Sequence, residues 1–425
     1  MRGRRILKES TYKNYLLLVL LVIQAFNYVD GLALGLVLQD IKMDLHLSDA
    51  QLGLLTGIAF FLFYSVMGMP IARWADRGNR VTIISLAAAV WSIMVALSGL
   101  ATNFAQLLLI RIGVAVGEAG CVPPAHSLIA DNFTRAERPR AVGIYMLAGS
   151  LSTLLGYLLA GWLNEFFGWR AMFMLLSLPG LIPATVAWFT LREPRQRRAA
   201  AAALPSDEPS MREVFATLWR NATYRYLLLV FCVTSFFGAG VAQWQPAYFV
   251  RSYGLKTGEL GTWLTVIYGV GGMLGTYWGG QLASRLAPNR EHLQLKFMAV
   301  AYCAFGVISV FIYLPVSQRM AFGFTGVAAI ASATIIAPLF AIIQTLVPPR
   351  MRAMSIAIIY LFGNLLGTGL GPLAAGVLSD ALRPLLGQES LRYTLLAMCP
   401  GFLVGAWLLW QSSKSVTRDL KVGAA

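Results

Sequence analysis

A segment of about 20 mainly apolar residues crosses the hydrocarbon of a bilayer as one helix, because a helix satisfies its own backbone N–H and C=O groups where no water can. This chain of 425 residues carries such segments near 15–38, 51–73, 81–100, 105–128, 141–163 and 170–191, then 225–249, 260–283, 295–315, 320–346, 354–378 and 394–412. The composition agrees, with 57% hydrophobic and only 12% charged residues, about half the charged share of an ordinary soluble protein. The pattern predicts an all-α integral membrane protein with twelve transmembrane helices.

The formal charge of +15 does not point to nucleic acid, because the basic residues fall in short clusters between apolar spans. Sorted by alternate loops, the side of the N-terminus holds Arg73, Arg77 and Arg80, Arg135, Arg138 and Arg140, Arg192 to Arg225, Arg285, Arg290 and Lys296, Arg350 and Arg352, and Lys414 to Lys421. The opposite side holds Lys42, Arg170, Arg251, Lys256, Arg319, Arg383 and Arg392. This asymmetry predicts a multi-pass protein with both termini in the cytoplasm and the lipid bilayer as its main partner; its expected location is the cell inner membrane. The basic segment with Arg2, Arg4, Arg5, Lys8 and Lys13 precedes a first span with no small-residue cleavage site, so it reads as a retained helix. Cys121, Cys232, Cys303 and Cys399 lie in different spans without metal-ligand spacing and read as buried free thiols.

Residues 192–221 form the one long polar stretch, opening "REPRQRRAAAAALPSDEPS", and read as a cytoplasmic linker with a short surface helix from Met211 to Trp219. It separates an N-terminal six-helix bundle (1–191) from a C-terminal one (222–425). The halves echo one another: "LSDAQLGLLTG" (47–57) matches "LKTGELGTWLT" (255–265), "RPRAVGIY" (138–145) matches "RMRAMSIA" (350–357), and "LLAGWLNE" (158–165) matches "LAAGVLSD" (373–380). Two pseudo-symmetric bundles of six helices are the architecture of a secondary transporter with its site near the midplane.

Three charges fall inside the first bundle's spans. Asp30 lies about 15 residues into span 1, roughly 22 Å from its cytoplasmic end, and Glu118 about 13 residues into span 4, roughly 20 Å deep. Arg111 precedes Glu118 by about two helical turns, on the same face. Isolated charges at that depth are costly and turn towards a watery cavity or a partner, so Asp30, Arg111 and Glu118 are expected to line one cavity. Burial and a second acid favour the neutral carboxylic acid, whereas Arg111 favours the carboxylate. That competition suits proton coupling by Asp30 or Glu118. The blander reading of the same residues is a permanent ion pair fixing helix 1 to helix 4.

Spans 7 to 12 carry no central acid and offer amides and aromatics instead: Gln243, Trp244, Gln245 and Tyr248, then Tyr268, Tyr360 and Asn364. With Arg111 and Asn27 of the first bundle, they are the candidate substrate-binding residues, and such a lining suits an amphiphile.

"ARWADRGNR" (72–80) resembles the loop motif between helices 2 and 3 of the major facilitator superfamily, departing from it at Ala72, Asn79 and Val81. The Asp-Arg-x-Asn-Arg form is similar to that of the Spinster branch. "FNYVDG" (26–31), "SDAQLGLLTG" (48–57), "RIGVAVGEAG" (111–120), "PPAHSLIADNF" (123–133) and "GYLLAG" (156–161) point the same way. Gly31 departs from the arginine that Spinster proteins carry after the helix 1 aspartate. The resemblance implies the major facilitator fold, alternating access, and a cytoplasmic conformational latch built from Asp76, Arg77 and Arg80. It implies a monomer, no cofactor beyond the proton gradient, and a lysolipid or sphingoid-phosphate substrate. The alternative is a proton-driven transporter of a small organic anion or drug-like compound, with Arg111 as the anion anchor. An enzyme is not expected, since the sequence has no GxSxG, HExxH or Walker motif, and His46, His126 and His292 are scattered.

Overall fold

The computed structural model describes residues 2–134, 136–194, 211–286, 290–314, 317–348 and 351–424, and every regular element among them is helical. The spans become α1 (Arg2–Leu36), α2 (Asp49–Thr56 continued by Ile58–Arg77), α3 (Arg80–Ser98) and α4 (Phe104–Glu118, then Val122–Asn132). A continuous stretch, Arg138–Thr190, holds α5 and α6, divided at Gly168, whose φ of 78° only glycine adopts without strain. The second half supplies α7 (Ala222–Tyr253), α8 (Thr257–Leu264, a π-helical segment Thr265–Val270, then Gly271–Leu286) and α9 (Glu291–Ile312). It continues with α10 (Gln318–Ala333 and Ile336–Thr345), α11 (Arg352–Phe362, a π segment Gly363–Thr368, then Leu370–Leu386) and α12 (Ser390–Met398 and Pro400–Ala424).

Among the described residues, nine stretches are long and apolar enough to cross a membrane, and two of them, Arg138–Thr190 and Met354–Leu420, are pairs of spans run together. With α8, which its π segment interrupts, they make up the twelve spans read from the sequence. The surface helix is present as Met211–Arg220, burying Val214 and Leu218 while Phe215 and Trp219 stay exposed. Of the linker, residues 195–210 lie outside the described residues.

The caps follow local chemistry. Asn79 accepts from the N–H of Thr82 (3.0 Å) to start α3, so the asparagine that departs from the general loop motif is a helix N-cap. Asn103 caps α4 and Asn221 caps α7 in the same way, accepting from Gln106 (3.0 Å) and Tyr224 (2.9 Å). Ser48 and Gln51 form a reciprocal capping box at the start of α2. Helix α4 breaks at residues 119–121, directly after Glu118, and Pro123 and Pro124 open its second piece, where a missing N–H costs nothing.

The chain forms two compact units. The first holds Met1–Leu47, Ala59–Leu204 and Lys256–Thr265; the second holds Ser48–Ile58, Pro205–Leu255 and Val266–Ala425. In the first, α1 lies along α5 and α6, and α3 packs on α4 and on the α5–α6 stretch. In the second, α12 packs on α7 and α9, and the opening turns of α2 pack on α11. Small residues allow that last approach: a Cβ at Gly376 would fall on the carbonyl of Asp49. Gly149, by contrast, has nothing within 4 Å of its Cβ position. Gly376→Ala should therefore cost about 1–3 kcal/mol and lower the thermal midpoint by several degrees, while Gly149→Ala leaves it unchanged or raised. Thermal unfolding of the two purified variants side by side checks the contrast.

Candidate functional site

In the first unit, the charges expected together are together. Arg111 donates from Nη1 to Oδ2 of Asp30, and both side chains are almost fully buried. The Arg111 guanidinium also sits over the ring of Phe60, 5.2 Å from its centre, which offers a cation a weakly polar face. Glu118 is buried and in electrostatic contact with both Asp30 and Arg111. Arg111 and Glu118 lie on one unbroken helical piece, so the helix itself fixes their spacing.

A polar face of α1 leads away from this pair. Gln24, Asn27 and Asp30 recur every three residues and are all buried. The hydroxyl of Tyr145 donates to Gln24 (2.7 Å), and Gln24 donates to Oδ1 of Asn27 (3.4 Å). Three buried atoms of this cluster, Nδ2 of Asn27, Oδ1 of Asp30 and Nε of Arg111, have no hydrogen-bond partner among the described residues. The site therefore presents two buried donors and one acceptor around a fixed ion pair. His126 stacks edge-on against Tyr145, with ring centres 5.2 Å apart.

The second unit holds a cavity of about 290 Å³ with mainly apolar walls that include Phe231, Tyr302, Phe305 and Phe340. Gln245 and Tyr268 line it, and the Tyr268 hydroxyl donates to the Gln245 carbonyl. Tyr268 stands on the π segment of α8, where the extra residue per turn re-aims a side chain. The other candidates divide. Trp244 donates to the carbonyl of Pro372 (2.9 Å) and Tyr248 to that of Ile312 (3.0 Å), so both polar atoms are used on backbone. Gln243 is half-buried, with its Nε2 unpartnered. Tyr360, 45% exposed, stacks on Phe340 with ring centres 5.3 Å apart. Asn364 lies in the α11 π segment, where its carbonyl accepts from Gly369. Tyr302 and Tyr313 of the α9 region line the cavity and escaped the sequence reading, because two tyrosines in an apolar span give no sign of which face is hollow.

Of the loop residues, Arg77 is exposed, and the side chain of Asp76 lies outside the described residues. Arg80 is fully buried and ties three segments of the first unit: it pairs with Asp131 (2.7 Å) and Glu193, and donates to Oγ of Ser127 (2.8 Å). Glu193 also accepts from the Arg80 backbone N–H (2.7 Å). Neither Asp131 nor Glu193 was singled out from the sequence. Asp131 stands in the "ADNF" (130–133) that ends α4 and Glu193 in the "REP" (192–194) after α6, and nothing local couples either acid to an arginine so far away in the chain.

The pattern of the Major Facilitator Superfamily matches residues 20–322. The chain is 31% identical, over 95% of its length and 93% of the relative's, to an MFS-type efflux pump of Mycolicibacterium smegmatis. It is 28% identical, over 64% of its length and 62% of the relative's, to a probable L-galactonate transporter of Escherichia coli. Its structure is similar to the crystal structure of a bacterial homologue of the human lysosomal transporter Spinster in an inward-facing, unoccupied conformation. That likeness has a TM-score of 0.84 and 29% identity, covering 96% of this chain and 98% of the other.

Removing Arg80 strands the buried carboxylate of Glu193, so Arg80→Ala should destabilise the protein by about 3–5 kcal/mol. Arg77→Ala, at an exposed side chain, should stay within about 0.5 kcal/mol of the parent. Equal thermal midpoints for the two variants would remove the structural role assigned to Arg80.

Proposed function

The chain belongs to the Major Facilitator Superfamily and resembles its Spinster-like branch; from that premise, we propose that it is a proton-coupled secondary transporter that moves an amphipathic, lipid-like substrate by alternating access. Members of this family are multi-pass membrane transporters and not enzymes. The substrate class we infer is of the lysolipid or sphingoid-phosphate type. The protein would sit in the cell inner membrane as a monomer, with both termini cytoplasmic and the proton gradient in place of any cofactor.

The observation that carries proton coupling is the Asp30–Arg111 pair with Glu118 in electrostatic reach of both. One guanidinium then serves two carboxylates, and in an apolar medium only the partnered one is readily kept ionised. A proton on Asp30 breaks its claim on Arg111 and leaves that cation for Glu118 or for an anionic group of the substrate. Loss of the proton restores the pair and expels the competitor. Two states of one cation are the minimum a proton-coupled carrier needs.

The lipid-like substrate is supported by the second unit's cavity, whose aromatic walls and single amide–phenol pair fit an apolar body better than a sugar or small acid. The free donors, Nε of Arg111 and Nδ2 of Asn27, favour a second reading, a small organic anion or drug-like compound. The relatives named as an efflux pump and as a probable L-galactonate transporter support that reading.

Internal pH recorded in vesicles containing purified protein, challenged in turn with lysolipids, sphingoid phosphates and organic acids, separates these readings. Lysolipid or sphingoid phosphate should move protons in the parent. Glu118→Gln should reduce that flux at least tenfold while binding persists. Flux with organic acids alone selects the second reading, and undiminished flux in Glu118→Gln removes that residue from coupling.

A further inference from the structure

Helices α2 and α8 change units along their length. The opening piece of α2 lies in the second unit and the rest in the first, while Lys256–Thr265 of α8 lies in the first unit and the rest in the second. The changeovers fall within one position of each other in the internal repeat, after Ile58, next to the Gly57 that ends "LSDAQLGLLTG", and after the Thr265 that ends "LKTGELGTWLT". Both helices leave α geometry there. Gly57 has φ −108° and ψ −114°, and Thr265 begins the π segment that runs to Val270.

Each opening piece is fastened at its N-terminus by a carboxylate from a helix of the other sequence half. Asp380 of α11 accepts from the N–H groups of Asp49 (3.1 Å) and Ala50 (2.7 Å). Glu165 of α5 accepts from the N–H of Gly258 (3.0 Å). These acids are again one position of a repeat, the ends of "LAAGVLSD" and "LLAGWLNE". The preceding residue adds a bond in both cases: Ser379 donates to Asp49 (2.7 Å), and Asn164 donates to Oγ1 of Thr257 (3.1 Å). Glycine contacts repeat as well, because a Cβ at Gly376 would meet the carbonyl of Asp49 and one at Gly161 that of Thr257. A carboxylate on the free N–H groups of a helix N-terminus meets both unpaired donors and the positive end of the helix dipole.

The two assemblies differ in charge. Asp49 is held by both terminal nitrogens of Arg251, at 2.9 and 2.7 Å, in a buried fork. Thr257 stands at the matching position of α8, and the nearby Lys256 reaches Glu165 only at 3.7 Å from an exposed site. Forked, charge-assisted bonds are stronger than neutral ones, and exposed pairs contribute little.

We propose that Asp380 and Glu165 are matched clasps holding α2 on α11 and α8 on α5, on the membrane face opposite the N-terminus. Gly57 and the segment Thr265–Val270 are the joints at which the freed pieces pivot. The α8 clasp, lacking the arginine fork, opens before the α2 clasp. This rests on the alternating-access reading for its purpose but on neither the substrate nor the proton for its test.

Backbone hydrogen exchange of the full-length protein in lipid nanodiscs, without added substrate, reads the clasps directly. In the parent, amides of 258–264 should exchange about tenfold faster than those of 50–56. Asp380→Asn should speed exchange in 49–56 by roughly tenfold, the size of a lost helix cap, and leave 59–75 unchanged. Glu165→Gln should do the same in 258–264 only, and it serves alone if Asp380→Asn does not fold. Unchanged exchange in a folded variant's own segment overturns the clasps. Equal loss of protection along the whole of α2 or α8 overturns the joints. Slower exchange in 258–264 than in 50–56 of the parent overturns the order of opening.

Discussion

An ionised side chain taken out of water must find a partner, and three buried arginines of this protein set much of its packing by that requirement. Arg111 takes Asp30 from 81 residues away, Arg80 takes Glu193 from 113, and Arg251 takes Asp49 from 202. Apolar helices slide and rotate against one another at little cost, since one greasy face packs much like the next. A guanidinium satisfied by one carboxylate permits a single register. These pairs stabilise less than their Coulomb attraction suggests, because desolvation offsets most of it. Their effect is to make other arrangements of α1, α3, α4 and α7 worse.

Where the charges are pinned, the helices that carry them are unequal. Helix α1, with Asp30, runs unbroken from Arg2 to Leu36, whereas α2, α4, α8 and α11 are each interrupted. Arg111 and Glu118 share the first piece of α4, so the separation of their backbones cannot change unless that piece unwinds. Asp30 is attached through α1, so its distance to Arg111 depends on how α1 lies on α4. At the level of the backbone, the variable in the three-charge cluster is thus the position of Asp30 on α1.

The spans were legible because twenty apolar residues admit one geometry in a bilayer, and the repeats were legible because matching sequence gave matching caps and glycine contacts. The Asp30–Arg111 pairing was legible for an electrostatic reason: charges at one depth have few partners to choose from. The helix interruptions were not. A π segment such as Thr265–Val270 is stabilised by what packs beside it, and "TVIYGV" carries no residue that demands it. Nor could sequence separate Gln245, which lines the cavity, from Trp244 beside it, which bonds the carbonyl of Pro372. Adjacent positions on a helix point about 100° apart, and in a span that is apolar on every side no polar stripe tells which direction is hollow.

Gly31 shows how a single position bears on the ligand. It is exposed, and nothing lies within 4 Å of where its Cβ would stand, so sterics do not exclude the arginine that the Spinster pattern places after the helix 1 aspartate. Without that second cation, an anionic head group has to be met by Arg111, and Arg111 is already engaged by Asp30. On the proposed mechanism, binding of an anion would require that Asp30 first release the guanidinium, by protonation or by movement of α1. A cluster with a spare arginine could bind anion and proton independently; on the proposed mechanism, this one would make each conditional on the other. Under the proposed proton coupling, the glycine would tie substrate recognition to the same cation that the proton controls.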